Sequence, residues 1–118
     1  MKNINLQISV VIPLMNEEAT LNELYKQISE TIEEAGLTHE VIFVDDGSDD
    51  NSFAILSELY EKNINLKVIR FRRNFGKAAA LQAGIVEAGG NVIITMDADL
   101  QDSPKEIPRF LSNSRYTY

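Results

Sequence analysis

Cysteine is absent from the 118 residues. That excludes disulfides, thiolate nucleophiles and zinc–thiolate sites, and it is compatible with a cytoplasmic setting. Basic residues are scarce: 11 Lys and Arg against 18 Asp and Glu leave a net charge of −7. Phosphate backbones and anionic headgroups attract cationic surfaces, so no nucleic-acid partner and no broad anionic-membrane contact is expected. Long apolar runs are missing too. The opening MKNINLQISVVIPL has one early Lys and a short apolar run broken by Pro13, too brief for a membrane span and without a small-residue cleavage site. Neither G-x-G-x-x-G nor G-x-x-x-x-G-K-[ST] occurs, which removes the usual support for a dinucleotide site or a P-loop, and the spacing of a calcium loop is missing as well. The lone histidine, His39, lies far in sequence from the acids and reads as surface. No linker, repeat or low-complexity tract interrupts the chain, so residues 1–118 read as one domain.

What is present alternates between two periodicities. ISVVIPL (Ile8–Leu14) is a β-branched run ending at Pro13, as at the end of a buried strand. Asn16 is placed to cap a helix with Glu17 and Glu18 in its first turn and a stripe of Leu21, Leu24, Ile28, Ile32 and Ala35, stopped by Gly36. EVIFVDDGS (Glu40–Ser48) is a second buried strand. A cap around Ser48–Asn51 starts a helix through Phe53, Leu56, Leu59 and Tyr60. LKVIRF (Leu66–Phe71) is a third strand. RRNFGK leads into a helix over Ala78–Ala88, ended by Gly89 and Gly90. A fourth strand covers Asn91–Met96, and Ser103 with Pro104 marks the start of a last short helix. Strand alternating with helix predicts an α/β, Rossmann-like, mainly parallel sheet with helices on both faces, and ligands in such sheets bind at the carboxyl ends of the strands.

Acids collect at those ends. VIITMDADLQD runs from an apolar strand into Asp97, Asp99 and Asp102. Alternation in an extended segment puts Asp97, Asp99 and Gln101 on one side, with Ala98 and Leu100 toward the protein. Three oxygen-bearing side chains suit Mg2+ or Mn2+, and a cation would also relieve the repulsion among the carboxylates. A solvated turn with an Asp cap is the plainer reading of D-x-D alone. At the second strand end, VDDGSDD pairs Asp45 and Asp46 before Gly47, where an acceptor can meet a base or ribose, whereas Asp49 and Asp50 read as turn and cap residues. Arg70, Arg72, Arg73 and Lys77 form the basic cluster. Followed by Gly76 at a helix start, they can meet a pyrophosphate, although solvated surface charge accounts for some of them. Met15 and Met96 read as packing residues.

Taken in order, VVIPLMNEEATL, VDDGSDDNS, RNFGKAAALQAG and MDADLQDSP resemble the nucleotide-sugar half of family 2 glycosyltransferases of the GT-A fold. The last two motifs look most like the polyprenyl-phosphate branch, which includes dolichyl-phosphate mannose synthase. The resemblance spans Ile8 to about Phe110. It implies a nucleoside-diphosphate-sugar donor bound with Mg2+ or Mn2+ and transfer with inversion to a polyprenyl phosphate or saccharide acceptor. It assigns Asp97, Asp99 and Gln101 to the metal and diphosphate, with Asp97 and Ala98 also counted among the substrate contacts. Asp46, with Asp45 beside it, matches the acid that holds the base. Pro13, Met15 and Glu17 match the turn lining the nucleoside pocket, with Met15 where relatives commonly carry an aromatic. Arg73 and Lys77 match the basic loop near the diphosphate. No catalytic base is named. DSP replaces the more common DPP.

Relatives continue past the point where this chain stops, so the resemblance further implies a truncated, donor-binding piece with little or no catalysis of its own. It implies a full-length protein held at the cytoplasmic face of a membrane. Separately, strand Asn91–Met96, left without a neighbour, is expected to drive self-association, since bare apolar edges pair. Two alternatives use the same acids: a haloacid dehalogenase-like phosphatase with Asp97 as nucleophile, and a non-catalytic nucleotide-binding module.

Overall fold

The computed structural model describes residues 6–99. Strands and helices alternate along them as β1 (Ile8–Leu14), α1 (Leu21–Glu34), β2 (His39–Asp45), α2 (Ser52–Lys62), β3 (Leu66–Arg70), α3 (Lys77–Glu87) and β4 (Val92–Thr95). Every pairing is parallel, in the order β3–β2–β1–β4. The chain steps outward from β1 to β3, then crosses back to lay β4 on the other side of β1. The expected α/β architecture is therefore present, with the strand order reversing at β1.

Burial explains the two kinds of strand. β1 and β2 are buried at every position, which is why both read as continuous apolar runs. β3 and β4 lie outermost among the described strands and are only partly buried. One face of the sheet packs Ile8, Val10, Ile12, Val41 and Phe43 against Leu21, Leu24, Ile28 and Ile32 of α1 and Leu56 of α2. The other face sets Val11, Ile42 and Val44 against Ala80 of α3. Gly84 lets α3 come close: a Cβ there would lie 2.3 Å from Val11 Cγ1 and 3.2 Å from Val44 Cγ2.

Register opens the site. β1 pairs with β2 over its whole length, from Ile8↔His39 to Leu14↔Asp45, but its pairing with β4 ends at Val11↔Thr95. A last ladder bond runs from Met96 N–H to the Val11 carbonyl (3.1 Å), after which the chain leaves the sheet. Ile12–Leu14 thus have no ladder partner on that side among the described residues, although all three are buried. Pro13 sits among them, where a residue without an N–H breaks no pairing to β4.

Several local expectations change. Asn16 does not cap α1. It adopts φ +55°, and the helix starts five residues later behind Thr20. Ala35 is exposed, and Tyr25 joins the buried stripe instead. The helix still ends at Gly36: the Gly36 N–H meets the Glu33 carbonyl and the Leu37 N–H reaches the Ile32 carbonyl, a Schellman closure. His39 is not surface. It opens β2 and is 7% exposed, because the strand begins one residue earlier than its apolar run. Tyr60 on α2 is exposed, and α3 begins at Lys77. Gln101, Asp102 and the helix expected at Pro104 lie outside the described residues.

Candidate functional site

The strand ends share one cavity of about 300 Å³. Pro13, Leu14, Met15 and Glu17 line it from the end of β1, Asp46 from β2, Lys77 from the start of α3, and Asp97, Ala98 and Asp99 from the end of β4. The acids following β2 and β4 therefore face a common space. The first and the last of these residues are 86 positions apart in the chain, and the crossover from β3 to β4 brings them together. Met96 is buried packing, as expected, whereas Met15 is 38% exposed at the cavity wall and is not.

Asp46 is held rather than free. Its Oδ1 accepts from the Phe75 N–H at 2.7 Å, and its Oδ2 accepts from the Gly76 N–H at 3.1 Å and from Asn74 Nδ2 at 3.0 Å. One carboxylate thereby fastens the loop that opens α3. Gly47 permits the approach: with φ +81°, it would place a Cβ 2.5 Å from the Arg73 carbonyl carbon. Asp45 is fully buried. Its Oδ1 accepts from the Ser48 N–H at 2.9 Å, and its Oδ2 meets no donor among the described residues. It does not line the cavity.

The loops after β1 and β2 are laced together. Asn16 Oδ1 accepts from the N–H groups of Asp49 (2.8 Å) and Asp50 (3.3 Å), and the Asn16 N–H donates to Ser48 Oγ at 2.9 Å. The Glu17 N–H donates to Ser52 Oγ (3.0 Å) and the Glu18 N–H to Asp50 Oδ2 (3.3 Å). Asp50 also accepts from the Ser52 N–H (2.8 Å). Desolvation acts to raise the Asp50 carboxyl, but its bonds to Ser52 and Glu18 outweigh that and hold it below its ordinary value. Asn16, assigned to a cap by sequence, instead fixes the turn that carries Glu17 into the cavity.

The basic cluster disperses. Arg70 stacks over the Phe53 ring at 4.0 Å and Arg73 over Phe75 at 4.6 Å, and neither lines the cavity. Only Lys77 enters it, with Nζ donating to Asp97 Oδ1 at 2.6 Å. Strand alternation does not extend through Asp97–Asp99 as expected, because the ladder ends at Met96 and Ala98–Asp99 turn. The outcome is nevertheless similar: Ala98 is 4% exposed, and both acids reach the cavity.

Among the described residues, no three Asp, Glu or His side chains gather as a metal-ligating group. Asp97 and Asp99 fit a hard divalent ion that also takes diphosphate and water oxygens, since Mg2+ is usually held by one or two carboxylates plus phosphate. Residues that sequence reasoning passed over are Leu14, Asn74 and Thr20. Asn74 lies in the quoted RNFGK loop, and Thr20 directly precedes the apolar stripe of α1, itself a cap signal.

Residues 9–115 match Glycosyl transferase family 2, and the chain belongs to that family. It is 41% identical over 113 residues to an uncharacterized glycosyltransferase of Synechocystis, covering 96% of this chain and 36% of the relative. The chain thus spans about a third of that relative's length. It is similar in structure to S. aureus TarS 1–349 in complex with UDP-GlcNAc, with TM-score 0.69 and 27% identity over 91% of this chain and 30% of that one. Glucosyl-3-phosphoglycerate synthase from Mycobacterium tuberculosis, in complex with Mn2+, UDP and phosphoglyceric acid, is similar at TM-score 0.68 and 26% identity, over 93% and 40% of the respective chains. The family assignment sets the phosphatase alternative aside.

Proposed function

We propose that these residues form the donor-binding part of a glycosyltransferase that takes a sugar from a nucleoside-diphosphate sugar with the help of a divalent metal, with inversion, and delivers it to a polyprenyl phosphate or a saccharide. The observation that carries this reading is the convergence of Asp46, Lys77, Asp97 and Asp99 on one cavity at the carboxyl ends of the strands. The chemistry is one of charge. Negative charge grows on the diphosphate as the bond to the sugar breaks; Asp97 and Asp99 would hold a divalent ion there, which would supply Lewis-acid stabilisation. The Lys77 ammonium, bonded to Asp97, is placed to neutralise a diphosphate oxygen. Asp46 holds the loop that aims Lys77, while Pro13, Met15 and Glu17 form the wall against which a nucleoside lies. Gln101 is assigned to the metal on the resemblance alone. A phosphate acceptor arrives anionic and needs no general base, whereas a hydroxyl acceptor needs one.

Calorimetry with UDP- and GDP-sugars, with and without Mn2+, tests the reading. Binding that requires Mn2+ and is lost in Asp99→Asn is the expected result; binding of neither sugar nucleotide above the level of AMP, with Mn2+ present, would overturn it. Nucleotide binding without sugar transfer by the full-length protein would favour a binding module. The acceptor is tested by supplying polyprenyl phosphate and oligosaccharides side by side to the full-length protein. We also propose self-association through the outer edge of β4, which sedimentation independent of concentration would contradict.

A further inference from the structure

Thr20 occupies the N-cap of α1, where a threonine hydroxyl ordinarily accepts an N–H from the first turn. Here the side chain makes no such bond. Its Oγ1 lies 2.7 Å from the Ala98 carbonyl oxygen, 3.2 Å from the Glu17 carbonyl and 3.5 Å from Glu17 Oε2. A hydroxyl has one proton to donate, and the shortest of these contacts directs it to Ala98. The Thr20 backbone is pinned on both sides: its N–H donates to the Glu17 carbonyl (3.1 Å), and its carbonyl accepts from the Leu24 N–H (2.9 Å).

The contact crosses the cavity's frame. Ala98 is the middle residue of Asp97–Ala98–Asp99, beyond the last ladder bond at Met96, so the sheet no longer dictates its orientation. Its side chain belongs to the core and its carbonyl is taken by Thr20. With both groups committed inward, the carboxylates on either side turn toward the cavity that both line. The same turn of chain also carries Glu17 into that cavity, so one hydroxyl ties the β1 wall to the β4 wall.

We propose that Thr20 is a positioning residue for the divalent ion: by holding the Ala98 carbonyl, it sets the separation and direction of the Asp97 and Asp99 carboxylates. This rests on the donor-binding reading above and goes beyond it in naming a residue that does not itself line the cavity. Substitution of Thr20 removes no capping bond, which separates this role from helix stability.

The test compares Thr20→Val, Thr20→Ala and Thr20→Ser in the full-length protein. The Mn2+ dissociation constant is measured by calorimetry in the presence of UDP, and by the Mn2+ electron paramagnetic resonance signal. Valine and alanine are expected to weaken Mn2+ by about three- to tenfold, the equivalent of one neutral hydrogen bond, and serine to stay within about twofold of wild type. Without added metal, hydrogen exchange at the Ala98 and Asp99 amides should quicken in Val and Ala and not in Ser. Unchanged Mn2+ affinity in Val and Ala, or a serine variant as weak as valine, would overturn the positioning role while leaving the donor reading intact. A wild-type protein with no Mn2+-dependent UDP or GDP binding would overturn the donor reading, and the role of Thr20 with it.

Discussion

Lys77, the first residue of α3, donates to Asp97, just past the end of β4, at 2.6 Å. The pair closes one side of the cavity and sets a cation beside the proposed metal ligands. Both side chains are substantially exposed, at 63% and 46%, so water screens the pair and its contribution to stability is small.

Lys77→Met should accordingly lower the thermal midpoint by no more than about four degrees, since exposed pairs contribute about 1 kcal/mol or less. Affinity for UDP in the presence of Mn2+ should fall by about tenfold or more, the scale of one charge-assisted hydrogen bond. Thermal unfolding and calorimetry on the same preparations check the split. Equal losses in both would mean that Lys77 is structural.

Asp46→Asn keeps the size of the side chain but turns one acceptor into a donor facing the N–H groups of Phe75 and Gly76 and the amide of Asn74. The site is 5% exposed, so a mismatched donor there should cost about 2 kcal/mol. Chemical denaturation gives the magnitude. Faster hydrogen exchange confined to Phe75–Lys77 would locate the effect in the loop that Asp46 fastens.

Gly84→Ala sets two physical terms against each other. Helix propensity alone favours alanine by about 1 kcal/mol. A Cβ at this position would meet Val11 Cγ1 at 2.3 Å on a fully buried strand, and overpacking of that kind costs about 1–3 kcal/mol. Net destabilisation is expected, measured as a lowered urea midpoint. A stabilised variant would show that α3 can lift from the sheet without loss.

Acid should destabilise the fold in two stages. Burial lowers the pKa of His39 below its ordinary 6.5, although Glu33 acts to raise it, and Nε2 faces Asn65 Nδ2 at 3.0 Å, an arrangement suited to neutral imidazole. The unfolded chain therefore takes up the proton first, so this contribution is complete above 6.5 and is lost as pH falls through the lower folded value. For Glu40, burial acts to raise the pKa, but bonds from the Gly89 N–H (2.7 Å), Lys67 (2.8 Å) and Ser9 (2.6 Å) bring it below the ordinary 4.5. Its contribution is complete above 4.5 and disappears as pH falls through its folded value. Urea midpoints across this range should show both declines, and His39→Gln should remove only the first.

The strand–helix alternation was readable because β1 and β2 are buried on both sides and α1 on one, so their burial imposes periodicities that local sequence must obey. The acidic strand ends were readable for a related reason. Carboxylates directly after an apolar run are costly unless they sit at a mouth, and strand mouths are where parallel sheets bind ligands. The roles of Asn16, His39 and Arg73 were not readable. Asn16 and His39 are decided by residues more than 25 positions away, Asp49 and Asn65 respectively, while Arg73 turns onto the nearby Phe75 ring.

By itself, then, the sequence determined the kind of layers the chain builds and the acids that end its strands, since both follow from local spacing and the avoidance of buried charge. Which acids share a cavity depended on tertiary structure. β4 had to pair beside β1 rather than beyond β3, and its register had to stop at Val11, before Asp97 can meet Lys77 and Thr20 can reach Ala98. Contacts spanning 20 and 78 positions are fixed by strand order and packing, and neither is encoded in any short stretch of residues.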